Sequence, residues 1–200
     1  KYNLSHIKPA PMPYNTGSVI QAHKLKDRTD LDILADKKAL EQFNYQSAVA
    51  YLLYLALWVR PEILPIVSIL QQFAQPQKTR RCHIEAVKHI FRYLKGTPNV
   101  GKVFTNDVPP EHLNRLRCYT DANFASTSSK SESAQPRSRA GYIFMLNGAV
   151  VSFKTFRIMK QVMSSSEAEL IGMVVAAIKS TTLNGVMLQF STKPKDILYT

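Results

Sequence analysis

Two carboxylate-bearing stretches in the second half of the chain have residue types suited to metal-dependent chemistry. Residues 116–125 read Leu-Arg-Cys-Tyr-Thr-Asp-Ala-Asn-Phe-Ala, a pattern that predicts a buried strand carrying Asp121 near its end. About 45 residues later, the helix-opening segment Ser-Ser-Ser-Glu-Ala-Glu-Leu adds Glu167 and Glu169. Carboxylate oxygens are the hard ligands that Mg²⁺ prefers, so these stretches are candidates for one metal site.

Both stretches also have a purely structural interpretation. An aspartate at the end of a strand often stabilises a turn. Ser164 with Glu167, and Ser166 with Glu169, both fit the capping box in which serine and glutamate satisfy the start of a helix. If Ser164 is the N-cap, Glu167 fills the box and Glu169 stays available.

The composition indicates a globular protein with a polyanionic partner. The 200 residues are 45% hydrophobic and 20% charged, which is ample for a sizeable core. Lys and Arg number 26 against 14 Asp and Glu, a net charge of +12. This excess favours nucleic acid over a membrane surface as the partner. The longest apolar run, residues 48–59, is too short to span a bilayer, so no membrane association is expected.

The cysteine content favours an intracellular protein with reduced thiols. Cys82 and Cys118 are the two cysteines, and neither belongs to a Cys-x-x-Cys pair. The chain begins at Lys1 without Met, which suggests a fragment of a longer protein.

The first half of the chain predicts a linker followed by helices. Residues 1–35 are polar and rich in proline at their start, and we interpret them as a linker. Helices are predicted at about residues 36–59, 61–73 and 78–94. The third is amphipathic and carries a basic stripe with helical spacing, which is either an ordinary solvated face or a phosphate-binding surface: Arg81, Lys88, Arg92 and Lys95.

The second half predicts a sheet with one helix. Strands are expected at about residues 101–104, 115–121, 140–146, 149–156 and 196–200. Asn147-Gly148 predicts a tight two-residue hairpin turn between two of them. A helix is expected at about residues 166–181, with its larger apolar side chains facing the sheet: Leu170, Met173, Val174, Ala177 and Ile178. This order predicts the α/β class.

The residues resemble a known family once these elements are placed in order. Residues 119–125, 140–144 and 164–170 are similar to three motifs of the ribonuclease H domain in Ty1/copia-type retrotransposon polyproteins. Residues 45–49, 60–63 and 91–97 are similar to the segment that connects polymerase and ribonuclease H in that family. The resemblance therefore covers nearly the whole chain.

The resemblance implies a fold, an activity and a division of the chain. The fold is a ribonuclease H-like mixed sheet with a packed amphipathic helix, preceded by a helical connection segment. The expected parts are a linker at 1–35, a helical thumb or connection segment at 36–110 and a ribonuclease H-like domain at 111–200. The implied function is metal-dependent hydrolysis of the RNA strand of an RNA/DNA hybrid, with the polymerase portion of the same polyprotein as a partner.

The resemblance also assigns the site and shows what is missing from it. Asp121 and Glu169 are implied as catalytic carboxylates and as ligands of Mg²⁺, with Mn²⁺ as an alternative. The third carboxylate of the family follows the last strand, where this chain ends at Thr200. Weak or absent activity is therefore expected of this chain alone. The rival interpretation is a non-catalytic module that binds nucleic acid or supports the polymerase.

Overall fold

The computed structural model describes residues 8–14, 29–105, 107–124, 138–190 and 195–199. The chain divides into two compact units, a helical unit, Lys1–Gly101, and a sheet unit, Lys102–Thr200. Most of the predicted linker at 1–35 lies outside the described residues.

Four α-helices form the described part of the helical unit. They are α1 (Asp30–Gln42), α2 (Tyr45–Trp58), α3 (Leu64–Leu70) and α4 (Arg81–Gly96). Short 3-10 turns, Pro61–Ile63 and Gln71–Phe73, flank α3. The helices predicted at 61–73 and 78–94 are thus confirmed with shifted ends.

The single helix predicted at 36–59 is wrong, because the chain forms two helices with separate caps. Thr29 caps α1 in a capping box with Asp32, which moves the helix start ahead of the predicted position. Asn44 then caps α2, its side chain accepting a hydrogen bond from the Ser47 N–H at 3.0 Å. A capping asparagine inside an apolar pattern explains the break.

The core of the helical unit lies between α2, α3 and α4. Helix α4 buries one apolar face, including Ile84, Val87 and Ile90, as its amphipathic pattern predicts. Tyr45 is also buried and donates its hydroxyl hydrogen bond to the Leu70 carbonyl at 2.8 Å, and burial raises the pKa of that hydroxyl.

Arg60 joins the end of α2 to the end of α4. It is 4% exposed, and its Nε donates to the Glu62 carboxylate at 2.6 Å. Its terminal nitrogens donate to the carbonyl and hydroxyl oxygens of Thr97 at 2.8 and 2.7 Å. The guanidinium lies 5.2 Å from the centroid of the Tyr93 ring. This buried charge is therefore satisfied on several sides, which burial of an ion requires.

The sheet unit is built on four strands in the order β3-β2-β1-β4. They are β1 (Arg115–Asn123), β2 (Arg139–Leu146), β3 (Ala149–Arg157) and β4 (Lys195–Tyr199). β1, β2 and β3 pair antiparallel, and β4 lies parallel to β1. With its helix this mixed sheet confirms the α/β class.

Local sequence signals explain the hairpin, while one expected strand is wrong. Asn147 and Gly148 have φ values of 49° and 77°, the left-handed conformation that tight hairpin turns require. Residues 101–104 form no strand. Val103 and Phe104 are 71% and 74% exposed, so this apolar segment has no sheet to join.

Helix α5 (Ser165–Gln189) packs on the sheet with a face that the sequence analysis did not predict. Its buried residues are mostly small: Ala168, Gly172, Ala176, Ser180 and Met187. The expected sheet-facing residues are exposed instead, with Leu170 at 57%, Val174 at 50% and Ile178 at 65%. Small side chains are favoured on the buried face because they let the helix backbone approach the sheet closely.

Within the described ranges, α5 has the length and apolar composition that a membrane span would need, by those two criteria alone. A core helix of a water-soluble protein meets the same criteria, so the observation is weak.

Both cysteines are free thiols, as predicted. Cys118 is fully buried in the core of the sheet unit, and this burial raises the pKa of its thiol to about 11.

Candidate active site

Asp121 lies on β1 with its side chain on the exposed face of the sheet. Alternation along the strand turns Leu116, Cys118 and Ala122 toward α5, so Asp121 faces the other way. Its cross-strand partner is Gly141 on β2, which has no side chain. The carboxylate makes no hydrogen bond or ion pair within the described part of the chain. Within the described residues, Asp121 thus makes no contact that stabilises a turn.

Glu167 is used for structure at the start of α5. Ser164 is the N-cap and accepts from the Glu167 N–H at 3.1 Å. The Glu167 carboxylate accepts from Lys160 Nζ and from the Met163 N–H, each at 2.8 Å. The hydrogen bond from Lys160, with the one from the Met163 backbone, holds the pKa of Glu167 below its usual value. Of the two glutamates, this one serves the helix end.

Glu169 is exposed, and no hydrogen bond or ion pair ties it to other described residues. It lies one turn before Gly172, where a Cβ atom, if one were added, would come 4.0 Å from the Asp121 carbonyl oxygen and 3.4 Å from the Ala140 Cβ. Residues three apart on a helix are neighbours, with Cβ atoms about 5–6 Å apart. The first turns of α5 therefore place Glu169 next to the part of β1 that carries Asp121.

Asp121 and Glu169 are associated with different faces of the sheet. α5 packs on one face, while the Asp121 side chain is on the other. β4 pairs with β1 only as far as Cys118, whose partner is Tyr199. Within the described residues, the edge of β1 beyond Cys118 is therefore not paired with a strand on the side away from β2.

The residue types fit a hard divalent cation, but their number is small. Asp121 and Glu169 offer only carboxylate oxygens, which suit Mg²⁺ or Mn²⁺. Among the described residues no group of three His, Cys, Asp or Glu side chains is close enough to hold a metal ion. The described part of the chain thus offers two candidate ligands, Asp121 and Glu169, which is fewer than a protein site for such a cation usually provides.

Gly172 is a positioning residue that the sequence analysis missed. Its lack of a side chain lets α5 come close to Ala140 and to the β1 backbone at Asp121. The signal was present in the sequence as small residues at intervals of four, at positions 168, 172, 176 and 180. The larger apolar residues on the neighbouring face obscured it.

The basic stripe of α4 is only partly available to a ligand. Lys88 forms an ion pair with Glu85 at 2.9 Å, and its ammonium lies 6.0 Å from the centroid of the Phe43 ring. Arg92 Nε donates to the Lys8 carbonyl at 2.9 Å, because the proline-rich segment 8–14 lies along α4. Arg81 is exposed at the start of the helix. The role of this stripe, Lys95 included, stays a prediction.

Comparison of the sequence with known proteins finds similarity to an effector protein and to polyproteins of plant transposons. No protein-family model matches the chain, and no solved structure matches it significantly. Secreted RxLR effector protein 161 of Plasmopara viticola is 33% identical over 155 residues, which cover 77% of this chain and 97% of that protein. The retrovirus-related Pol polyprotein from transposon TNT 1-94 of Nicotiana tabacum is 30% identical over 174 residues, 86% of this chain and 12% of the polyprotein.

A second plant polyprotein agrees with the first. The retrovirus-related Pol polyprotein from transposon RE1 of Arabidopsis thaliana is 32% identical over 139 residues, 70% of this chain and 9% of the polyprotein. The chain thus spans nearly all of the effector protein but about a tenth of each polyprotein.

The described residues form an α/β unit with exposed carboxylates on β1 and α5, in the same chain as a helical unit. The chain belongs to the sequence family that the effector protein shares with the Pol polyproteins of plant transposons.

Proposed function

We propose that the chain is the connection and ribonuclease H portion of a retrotransposon Pol polyprotein. Its activity would be metal-dependent hydrolysis of the RNA strand of RNA/DNA hybrids during reverse transcription. The observation that carries this proposal is the placement of Glu169 on α5 beside the β1 segment that bears Asp121. The kinship with plant Pol polyproteins and the net charge of +12 support it. The polymerase portion of the same polyprotein is the proposed partner, inside the cell.

Asp121 and Glu169 have distinct tasks in this proposal. Both carboxylates would hold Mg²⁺, Asp121 from the exposed face of the sheet and Glu169 from the helix. When bound, the metal supplies Lewis-acid stabilisation of the charge that develops on the phosphate oxygens. Gly172 keeps the two ligands close, while Glu167 anchors the first turn of α5 and so fixes the backbone from which Glu169 projects.

We expect residues 1–200 alone to be weakly active, and the position of β4 supports this expectation. β4 runs parallel to β1, with Tyr199 beside Cys118. A strand continued past Thr200 in the same register would therefore run alongside residues 119–121. The third carboxylate of the resembled family follows this strand, and it would lie next to Asp121. Two carboxylates without that third ligand would hold Mg²⁺ poorly.

Cleavage of a labelled RNA/DNA hybrid tests this proposal. The 200-residue chain should cut slowly or not at all with Mg²⁺ or Mn²⁺, and a version extended past Thr200 by its natural continuation should cut. Asp121→Asn in the extended chain should lower the rate by at least roughly 100-fold, since even supporting residues around a metal cost 10–100-fold. A folded extended chain that leaves the hybrid intact would overturn the nuclease function.

The two glutamates of α5 provide a matched control. Glu169→Gln and Glu167→Gln remove the same charge two positions apart on one helix. We expect Glu169→Gln to abolish cleavage in the extended chain and Glu167→Gln to reduce it only as far as the helix start loosens. Equal effects of the two substitutions would show that Glu169 has no special role.

A non-catalytic nucleic-acid-binding or polymerase-scaffolding module is the second candidate. The presence of only two candidate metal ligands among the described residues favours it. Such a module would bind hybrid with an affinity that falls steeply as salt rises, because phosphate contacts release counterions. Binding would weaken in the double variant Arg81→Ala, Lys88→Ala if the α4 stripe takes part. A folded extended chain that binds but does not cut would favour this candidate.

A further inference from the structure

Three hydrogen-bond donors form one row across the end of the sheet, on the face that carries Asp121. Arg139 on β2 pairs directly with Asn123 on β1 and with Arg157 on β3. Residues that are directly opposite in neighbouring strands point to the same face. Asp121 is two positions before Asn123, so the donor row (Asn123, Arg139 and Arg157) lies on the face of the candidate carboxylate, one row away.

The two arginines of this row are an unfavourable pair for folding. Like charges directly opposite each other in a sheet are destabilising. Arg139 is half-buried, and its loss of solvation together with the charge of Arg157 lowers the pKa of its guanidinium. Arg157 is exposed, and no ion pair is found for it among the described residues. A ligand with negative charge at the exposed Arg157 would reduce its repulsion with Arg139.

The surroundings favour a chain-like anion over a compact one. The next row on the same face of the sheet consists of Asp121, Gly141 and Thr155. Gly141 has no side chain, so a ligand can approach the backbone of the sheet beside Asp121. Successive rows on one face are about 7 Å apart, because side chains alternate and the strand rises about 3.4 Å per residue. A backbone with phosphates at intervals of a few ångströms could cross from one row to the next.

We infer that the donor row binds a backbone phosphate of the nucleic acid strand whose neighbouring phosphodiester lies at Asp121. The inference depends on the proposed function for the identity of the strand, and it adds the residues that align that strand. Arginine is suited to this task, since its planar fork can donate two parallel hydrogen bonds to one phosphate. Asn123 would contribute an amide donor from the neighbouring strand.

Binding of a fluorescently labelled RNA/DNA hybrid, measured by anisotropy without divalent metal, tests the inference. The 200-residue chain is compared with Arg139→Gln, Arg157→Gln, and both together. Each single substitution should weaken binding by roughly tenfold, the usual effect of one charge-assisted hydrogen bond. The double variant should also make the dependence of log affinity on log salt concentration less steep. The slope should fall by about one or two, which corresponds to the loss of one or two phosphate contacts.

Lys154→Gln is the matched control. Lys154 is an exposed cation of the same strand as Arg157, but it belongs to the face that carries α5, with its ammonium 5.7 Å from the Phe156 ring. Its substitution removes the same charge and should change affinity by less than about twofold. If Lys154→Gln weakens binding as much as Arg157→Gln, general charge attraction explains the result and the donor row has no role.

Stability measured without nucleic acid gives an independent readout. Removing one of two facing like charges should leave the melting temperature of Arg157→Gln equal to or above that of the unmodified chain. A clear fall would make the arginines structural and overturn the inference. Because binding is measured without metal, this test is independent of the nuclease function. If the chain binds tightly through the two arginines but the extended chain does not cut, only the nuclease function is rejected.

Discussion

Polar side chains in the core of the helical unit and at the candidate site of the sheet unit differ in burial and bonding. In the helical unit, Arg60 and Tyr45 are buried and bonded to groups that belong to other helices or their ends. In the sheet unit, Asp121, Glu169 and Arg157 are exposed, and no ion pair is found for them within the described residues. The contrast separates polar groups that stabilise a fold from polar groups that are available to a ligand.

This difference in bonding indicates which polar side chains are able to bind a ligand. A polar group that is already bonded inside a protein cannot bind a metal or phosphate without losing its partners. A polar group that projects from a sheet end costs the fold little and can be used for binding. The comparison therefore agrees with the proposal that the sheet unit carries the chemistry, while the role of the basic stripe on α4 stays a prediction.

The largest effect on stability should come from Arg60 in the helical unit. Arg60→Ala removes three hydrogen bonds of a buried side chain, to the Glu62 carboxylate and to the carbonyl and hydroxyl oxygens of Thr97, and should lower the free energy of unfolding by about 2–3 kcal/mol. Urea denaturation measures this change. Arg81→Ala, which removes an exposed arginine, should stay within about 0.5 kcal/mol. A loss below about 1 kcal/mol for Arg60→Ala would remove the contrast between the units.

An intermediate effect is expected at the interface of α5 with the sheet. Gly172→Leu would force a large side chain against Ala140 and should cost about 1–3 kcal/mol by overpacking. Met173→Gln alters the next residue, which is 48% exposed, and should change stability by less than about 0.5 kcal/mol. Thermal unfolding of both variants decides the orientation of the helix. The reverse order of effects would mean that the larger apolar residues face the sheet after all.

The smallest effect on stability should come from the candidate carboxylates. Asp121→Asn and Glu169→Gln remove no hydrogen bond within the described residues, so each should alter the free energy of unfolding by less than about 0.5 kcal/mol. The same variants should abolish cleavage in the extended chain. Urea denaturation that shows a loss above about 1 kcal/mol for either one would assign it a structural role, like that of Arg60.

Local sequence signals were sufficient for much of the fold. The hairpin at Asn147-Gly148 depends on a few adjacent residues and is present as expected. The sequence left two serines open as the N-cap of α5, and the structure has Ser164 in that position. The amphipathic pattern of α4 likewise gave the correct buried face. These features could be predicted because the residues that determine them are close in sequence.

Features that depend on packing could not be predicted in the same way. The pattern of large apolar residues gave the wrong face of α5, because close approach to the sheet selects small residues such as Ala168 and Gly172. The apolar segment 101–104 has strand-forming residues but no neighbouring strand. The candidate carboxylates were chosen from a resemblance, yet their placement on different faces of the sheet follows from strand register, which one sequence does not reveal.

The parallel pairing of β4 with β1 also has a consequence for the order of folding. Cys118 and Tyr199 are about 80 residues apart in the chain, whereas the β2–β3 hairpin pairs residues that are close in sequence. Closing the longer loop costs more chain entropy before any contact is gained, and such non-local pairing is slow. We therefore expect the hairpin to form early and β4 to join late. The edge of β1 up to Cys118 would then be covered only after the rest of the sheet is in place, so a partly folded chain would present that edge as an unpaired strand to other chains.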